Sequence, residues 1–181
     1  MKHTLSALVE NKPGVLSRVS GLFTRRGFNI ESLAVSPTER ADRSRMTITV
    51  DTTKTPIEQI TKQLDKLINV IKVRELDPQN MVARELGLFK VAAKSGQRSE
   101  VIELVEIFRA EIIDVTAETL TIELTGESDA LVRFEELLRP LGLMELVKTG
   151  VVALGRGANP DRKSTRLNSS HIQKSRMPSS A

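Results

Sequence analysis

The same order of apolar patterns occurs twice along this chain, and this repetition constrains the fold more than any other feature. Between residues 4 and 76, alternating and helical spacings of apolar residues follow one another as strand, helix, strand, strand, helix, strand. Residues 86–154 show the same order again. This is the order of the ferredoxin-like βαββαβ unit, in which both helices cover one face of an antiparallel sheet. We therefore predict an α+β fold of two ferredoxin-like domains in tandem.

The elements of the first half have clear local signals. A Pro-Gly turn at 13–14 precedes apolar residues at helical spacing, and a glycine at 27 follows the last of them. The second helix is expected to have Thr55 as its N-cap, Pro56 in the first helical position and Glu58 in the third. The predicted strands are 4–9, 29–36, 45–50 and 70–76, and the predicted helices are 14–26 and 55–67.

The segment DPQN at 77–80 interrupts the pattern and is the predicted domain boundary. The first domain is then residues 1–77, and the second is residues 78–158. Each is close to the smallest size at which a single core is sufficient. A unit of this kind leaves one sheet face and an edge strand open, so we expect it to self-associate.

The last elements of the second domain are less regular. Ser128 is expected to cap the final helix, and the apolar residues of 143–154 predict a last strand that Gly150 interrupts. Residues 155–157 read Gly-Arg-Gly, which is too short for a phosphate-binding loop and lacks its helix. We interpret them as the fraying end of the fold.

The net charge of +4 comes from the C-terminal segment. Residues 161–181 hold five basic side chains and one acidic one, so residues 1–160 are neutral overall. Residues 159–181 are Ser-rich without periodicity, which predicts disorder. They resemble translated adapter or vector sequence and are excluded from functional inference, the alternative being a genuine basic interaction tail. A neutral body without Trp or Tyr gives no case for nucleic-acid binding.

Composition also excludes several classes of active site. The chain has no cysteine, and its only histidines are His3 and His171. We interpret His3 as a surface residue at the start of an edge-like strand, and find no catalytic residues and no metal ligands. No apolar run is long enough to cross a membrane. A cytoplasmic protein is the expectation.

The Pro-Gly turn is the best candidate for a binding site. The backbone N–H groups in the first turn of the following helix have no partner inside the helix, so they attract a carboxylate. Gly14 lets a small molecule approach that backbone closely, and Asn29, at the start of the next strand, offers an amide oxygen to an ammonium group. These groups suit a free amino acid. The alternative is that Gly14 is a simple turn glycine and Asn29 has satisfied local hydrogen bonds.

These segments resemble the ACT domain, an amino-acid-sensing ferredoxin-like module, and more narrowly the small regulatory subunits of acetolactate synthase. The resemblance rests on the order of both halves. Its segments are 8–19 (LVENKPGVLSRV), 21–33 (GLFTRRGFNIESL), 44–48, 59–64, 107–115 and 149–154.

The resemblance implies a non-catalytic subunit in valine, leucine and isoleucine biosynthesis. Such a subunit activates a separate large catalytic subunit, a transferase that carries thiamine diphosphate, Mg²⁺ and FAD, while no cofactor is bound by this chain. It also confers feedback inhibition by valine, which binds where two ACT domains of a homodimer meet. The implied effector-binding residues are Asn11, Gly14, Val15, Leu16, Asn29 and Ile30.

Other classes of protein would require different sequence features. A stand-alone amino-acid-sensing transcription regulator would need a DNA-binding element, and an RNA-binding ferredoxin-like protein would need sheet aromatics and a basic face. A stand-alone ACT-domain sensor for a different enzyme would not activate acetolactate synthase. The choice among valine, leucine and isoleucine stays open, because one methylene is worth only about 1–3 kcal/mol.

Overall fold

A computed structural model describes residues 1–158, so the predicted disorder of 159–181 lies outside the described residues. The first domain contains β1 (Lys2–Glu10), α1 (Val15–Arg26), β2 (Asn29–Pro37), β3 (Arg43–Asp51), α2 (Ile57–Asp65) and β4 (Val70–Leu76). The second contains β5 (Met81–Ala92), α3 (Arg98–Phe108), β6 (Glu111–Val115), β7 (Thr119–Gly126), α4 (Ser128–Leu138), β8 (Leu143–Lys148) and β9 (Val152–Gly155). The predicted α+β fold of two βαββαβ units is confirmed.

The first sheet has the strand order β2-β3-β1-β4 and is antiparallel throughout. Alternate residues of β1 and β3, such as Leu5 and its partner Ile48, face the helices and are fully buried. They pack against the apolar stripes of α1 and α2, in which Phe23 and Leu64 are among the most buried residues. Because β4 returns beside β1, β1 is a central strand, and the prediction that His3 begins an edge-like strand is wrong.

The second sheet has the order β6-β7-β5-β8, and its core contains three aromatic rings. Phe134 meets Phe89 and Phe108 at centroid distances of 5.0 Å each. The first of these contacts is edge-to-face, the arrangement that aromatic quadrupoles favour. Strands β8 and β9 pair one after the other along the same side of β5. The predicted last strand is therefore divided into two strands around Gly150.

Both predicted helix caps are wrong. Pro56 has an extended conformation (φ −61°, ψ 141°), so α2 begins after it, at Ile57, and Pro56 rather than Thr55 is the N-cap residue. Ser128 is the first residue of α4, and its hydroxyl donates to Glu85 Oε2 at 3.1 Å and accepts no bond from the backbone N–H groups of the helix. Each helix thus starts within one residue of the predicted position, with a different residue as its N-cap.

Residues 155–157 do not fray at Arg156. The Arg156 backbone N–H donates to the carbonyl of Asn80 at 2.7 Å, and its Nε donates to the carbonyl of Met81 at 3.1 Å. Gly155 itself belongs to β9 and pairs with Met81. The end of the second domain is thereby tied to the segment that joins the two domains.

The two domains pack through the sheet face of the first domain that lies opposite its helices. Ser6, Leu8 and Thr47 point away from α1 and α2, yet each is less than a tenth exposed. The ribbon formed by β9 and the beginning of β5 lies against this face, where the small side chain of Ala153 is buried. None of the helices in residues 1–158 is long and apolar enough to span a membrane.

Candidate functional site

The predicted Pro-Gly turn has the geometry of a type II β-turn. Gly14 has φ 86° and ψ −9°, values that favour glycine in the third position of such a turn, and Pro13 has the favoured second position. The N–H of Val15 closes the turn on the carbonyl of Lys12 at 3.5 Å. A Cβ atom placed on Gly14 would meet nothing within 4 Å, so the backbone here is open to a ligand.

The partial positive charge at the first turn of α1 is not neutralised by any group of the helix itself. Arg18 is the first residue whose N–H bonds back to the helix start, to the carbonyl of Gly14 at 3.0 Å. No side chain caps the helix, and no acidic residue lies in its first turn. The N–H groups of Leu16 and Ser17 therefore point out of the helix end, where the macrodipole places roughly half a positive charge.

Sequence reasoning assigned no role to the charged network beside this turn. Asn69, which immediately precedes β4, donates from Nδ2 to Glu10 Oε2 at 2.8 Å and accepts from Arg18 Nη1 at 2.6 Å. Lys12 Nζ lies 3.2 Å from the same Glu10 oxygen. Hydrogen bonds from Asn69 and then Lys12 hold the pKa of Glu10 below its usual value. Because Asn69 is distant in sequence, only the fold reveals this network.

The other predicted residues at this end differ in what they expose. Asn11 is exposed, and its Nδ2 donates to the carbonyl of Ala41 at 3.0 Å, which fixes the loop between β2 and β3. Its Oδ1 accepts no hydrogen bond from the described residues. Val15 is buried in the core and offers only its backbone, whereas the Leu16 side chain is 46% exposed. Asn11, Gly14, Val15 and Leu16 are thus brought together.

Asn29 and Ile30 lie at the opposite end of the same domain. Asn29 pairs with Asp51, which pairs with Lys2, whereas the turn follows Glu10 at the other end of β1. Eight strand residues separate the two levels, a distance of roughly 26 Å. One chain therefore cannot place Asn29 and Gly14 on the same small ligand.

Strand β2 is nevertheless an edge of the first sheet, with no strand on its outer side in residues 1–158. Helix α1 lies over the β2 side of the sheet. The last residue of β2, Pro37, is level with Val9, so the end of β2 lies beside the turn. Val35, near that end and on the helix side of the sheet, is 40% exposed.

The described residues contain no arrangement typical of a catalyst. His3 Nδ1 contacts Glu75 Oε1, and no third group of residues 1–158 hydrogen-bonds to this pair. No group of three or more metal-binding side chains lies together in the same range. Arg45 is half-buried and donates to Ser6 Oγ at 2.9 Å.

Comparisons with known proteins cover both domains. Residues 5–72 match the model of the AHAS small subunit-like ACT domain, and residues 84–157 match that of the small subunit of acetolactate synthase. The acetolactate synthase small subunit of Mycobacterium bovis is 59% identical over 155 residues, which cover 86% of this chain and 92% of that protein. That of Mycolicibacterium smegmatis is 56% identical over 155 residues, 86% of this chain and 91% of that protein.

The crystal structure of the acetolactate synthase small subunit from Thermotoga maritima has the same fold. Its TM-score is 0.81 at 43% sequence identity, and the match covers 88% of this chain and 99% of that one. Two family models in the expected order, close relatives over nearly their full length and a solved structure agree. This chain belongs to the family of acetolactate synthase small subunits, regulatory subunits whose first domain is an ACT domain.

Proposed function

We propose that this chain activates the large catalytic subunit of acetolactate synthase and makes that subunit sensitive to inhibition by valine. The observation that carries the proposal is the unneutralised first turn of α1 beside the open edge of β2. We place the thiamine diphosphate chemistry, with Mg²⁺ and FAD, on the large subunit. This chain contributes binding and control in the biosynthesis of branched-chain amino acids.

The effector site in this proposal needs two copies of the chain. Antiparallel pairing of β2 with β2 of a second copy would join two four-stranded sheets and protect both exposed edges. If that pairing is centred on Leu33, Asn29 of one copy lies beside Pro37 of the other. Asn29 and Ile30 of the second copy would then lie near Asn11 and Gly14 of the first. Asn29 and Gly14, which are roughly 26 Å apart within one chain, thereby come close together across the two copies.

Valine has the groups that such a composite site can recognise. Its carboxylate would accept hydrogen bonds from the backbone N–H groups that follow Gly14, chiefly those of Leu16 and Ser17, because the Val15 N–H closes the turn on Lys12. Its ammonium would donate to the side-chain oxygen of Asn29 from the second copy or to Asn11 Oδ1. The isopropyl group would contact Ile30 of the second copy. Each charge-assisted hydrogen bond contributes about 1.5–3 kcal/mol.

Inhibition then follows from a difference in affinity between two arrangements. A ligand shared by two copies favours the arrangement of the two ACT domains that it fits best. It inhibits only if the large subunit binds better to the other arrangement, and the coupling is reciprocal. Saturating large subunit should therefore weaken valine binding.

Reconstitution tests this function directly. The chain is mixed with a large subunit, and acetolactate formation is measured with and without valine, leucine or isoleucine. We expect higher activity on addition of the chain and a loss of that activity with valine. A folded chain that binds an amino acid but never changes the activity of the large subunit would support a sensor for a different enzyme instead.

A further inference from the structure

Strand β2 makes one hydrogen bond to the second domain in the described part of the chain. Ser32 Oγ accepts from the backbone N–H of Val151 at 2.8 Å, across a sequence separation of 119 residues. Ser32 is half-buried on the sheet face opposite the helices, where it pairs with Thr49. Val151 lies in the short segment between β8 and β9.

The backbone at Gly150 lies directly on β2. Gly150 has φ 83°, and a Cβ atom there would come within 2.9 Å of Ser32 Oγ and 3.2 Å of the Leu33 carbonyl oxygen. Both the dihedral angle and the space exclude a side chain. The backbone of residues 149–151 therefore packs directly against β2.

Each side of this contact is connected to a different part of the molecule. On the β2 side, the register shifts between Ile30 and Ser32, and the extra residue, Glu31, is paired with Lys2 Nζ at 2.9 Å. Such a bulge leaves Glu31 out of the ladder and bends the strand locally, next to Ser32. On the other side, Thr149 is bonded twice to Leu86, through its N–H at 3.0 Å and its hydroxyl at 3.1 Å.

We propose that Ser32 is a positioning residue that transmits occupancy of the effector site from β2 to the second domain through the Val151 N–H. This inference rests on the proposed function, because Asn29 and Ile30, three and two residues before Ser32, are the residues proposed to contact valine. A shift of the start of β2 displaces Ser32, and Thr149 passes the displacement to β5. Ser32 itself does not touch the effector.

Ser32→Ala tests this role, with Ser36→Ala as the matched control. Ser36 lies on the same strand and the same sheet face, is exposed, and has no hydrogen bond through its hydroxyl in residues 1–158. Three quantities are measured for each full-length variant: the valine Kd by calorimetry, the maximal inhibition by valine in the complex with the large subunit, and the exchange rate of the Val151 amide hydrogen.

For Ser32→Ala we expect a valine Kd within about twofold of wild type, because the binding groups are intact. We expect the maximal inhibition to fall by at least about half, because the loss of one hydrogen bond removes a large share of a coupling that is typically about 5–150-fold. The Val151 amide should exchange about tenfold faster, as follows from the loss of one hydrogen bond. Ser36→Ala should match wild type in all three measurements.

Gly150→Ala gives a second test from the other side of the contact, with Gly96→Ala as its control. Both glycines have positive φ, but a Cβ on Gly96 would meet nothing within 4 Å. Gly150→Ala should reproduce the Ser32→Ala pattern. The inference would be overturned if Ser32→Ala showed the maximal inhibition of wild type. It would also be overturned if a higher valine Kd accounted for the whole loss of inhibition. If the wild-type complex itself does not respond to valine, the proposed function fails, and the inference fails with it.

Discussion

Gly14→Asp places a carboxylate where the proposed site holds the carboxylate of valine. Without valine, two effects oppose each other at this position. An ordinary residue at positive φ costs about 1–2 kcal/mol, although Asp tolerates this region better than most. An acidic group at the start of α1 returns about 0.3–1 kcal/mol through the helix dipole, which no acidic side chain in the first turn now offsets. The free energy of unfolding should therefore change by about 1 kcal/mol or less.

Valine binding should suffer much more. Two like charges about 4 Å apart repel by roughly 1–4 kcal/mol at effective dielectric constants between those of water and the protein surface. The Asp side chain also competes for the N–H groups of Leu16 and Ser17. The valine Kd should rise at least about tenfold, which corresponds to 1.4 kcal/mol. Activation of the large subunit should be unchanged.

Calorimetry with valine and assays of the reconstituted complex measure these effects, and two controls separate their causes. Gly14→Asn has the same shape and backbone strain without the charge, so it should bind valine better than Gly14→Asp. Gly96→Asp introduces the same charge at another open glycine with positive φ. Unchanged valine inhibition in Gly14→Asp would refute this placement of the carboxylate.

Three further predictions concern other parts of the chain. Gly14→Asp and Asn29→Ala should each weaken valine binding by about tenfold or more. Mixed dimers of the two variants keep one wild-type site, so calorimetry of an equal mixture should recover about a quarter of the sites at wild-type affinity, and no recovery would show that the site lies within one chain. Removal of residues 162–181 should leave activation and inhibition intact in the reconstituted assay, and a clear loss of either would show that this segment is functional. Hydrogen bonds from the Thr53 hydroxyl, the Thr53 N–H and the N-terminal ammonium lower the pKa of Asp51 from 3.8 to about 2. The stability that this carboxylate provides is present above pH 3.8 and is lost as the pH falls through 2. The melting temperature of wild type should therefore fall more steeply than that of Asp51→Asn between pH 4 and pH 2. Parallel curves would contradict this.

The order of helices and strands could be predicted from the sequence because it depends on local periodicity. Apolar alternation and helical spacing identify the buried face of each element without knowledge of its neighbours. The exact helix starts could not be predicted in the same way. The extended conformation of Pro56 moves the start of α2 by one residue, and the partner of Ser128, Glu85, is distant in the sequence.

Only part of the candidate site could be predicted from the sequence. The turn at Gly14 has a motif of adjacent residues, and its dihedral angles follow from Pro and Gly. The position of Asn29 depends on strand order, because β2 is antiparallel to β3 and begins at the far end of the sheet. The network around Asn69 and the contact between Ser32 and Val151 join residues with no pattern in common.

The separation of Asn29 from Gly14 has a regulatory consequence in the proposed scheme. If one chain held both residues, valine would bind without changing how two copies sit together, and the large subunit would receive no signal. Because each site takes its turn from one copy and its Asn29 from the other, occupancy can stabilise only one arrangement of the pair. Ser32, on the strand that contributes Asn29, then carries that arrangement to a second domain outside the ligand contact. The same topology that prevents a single-chain site makes a shared site suitable for control.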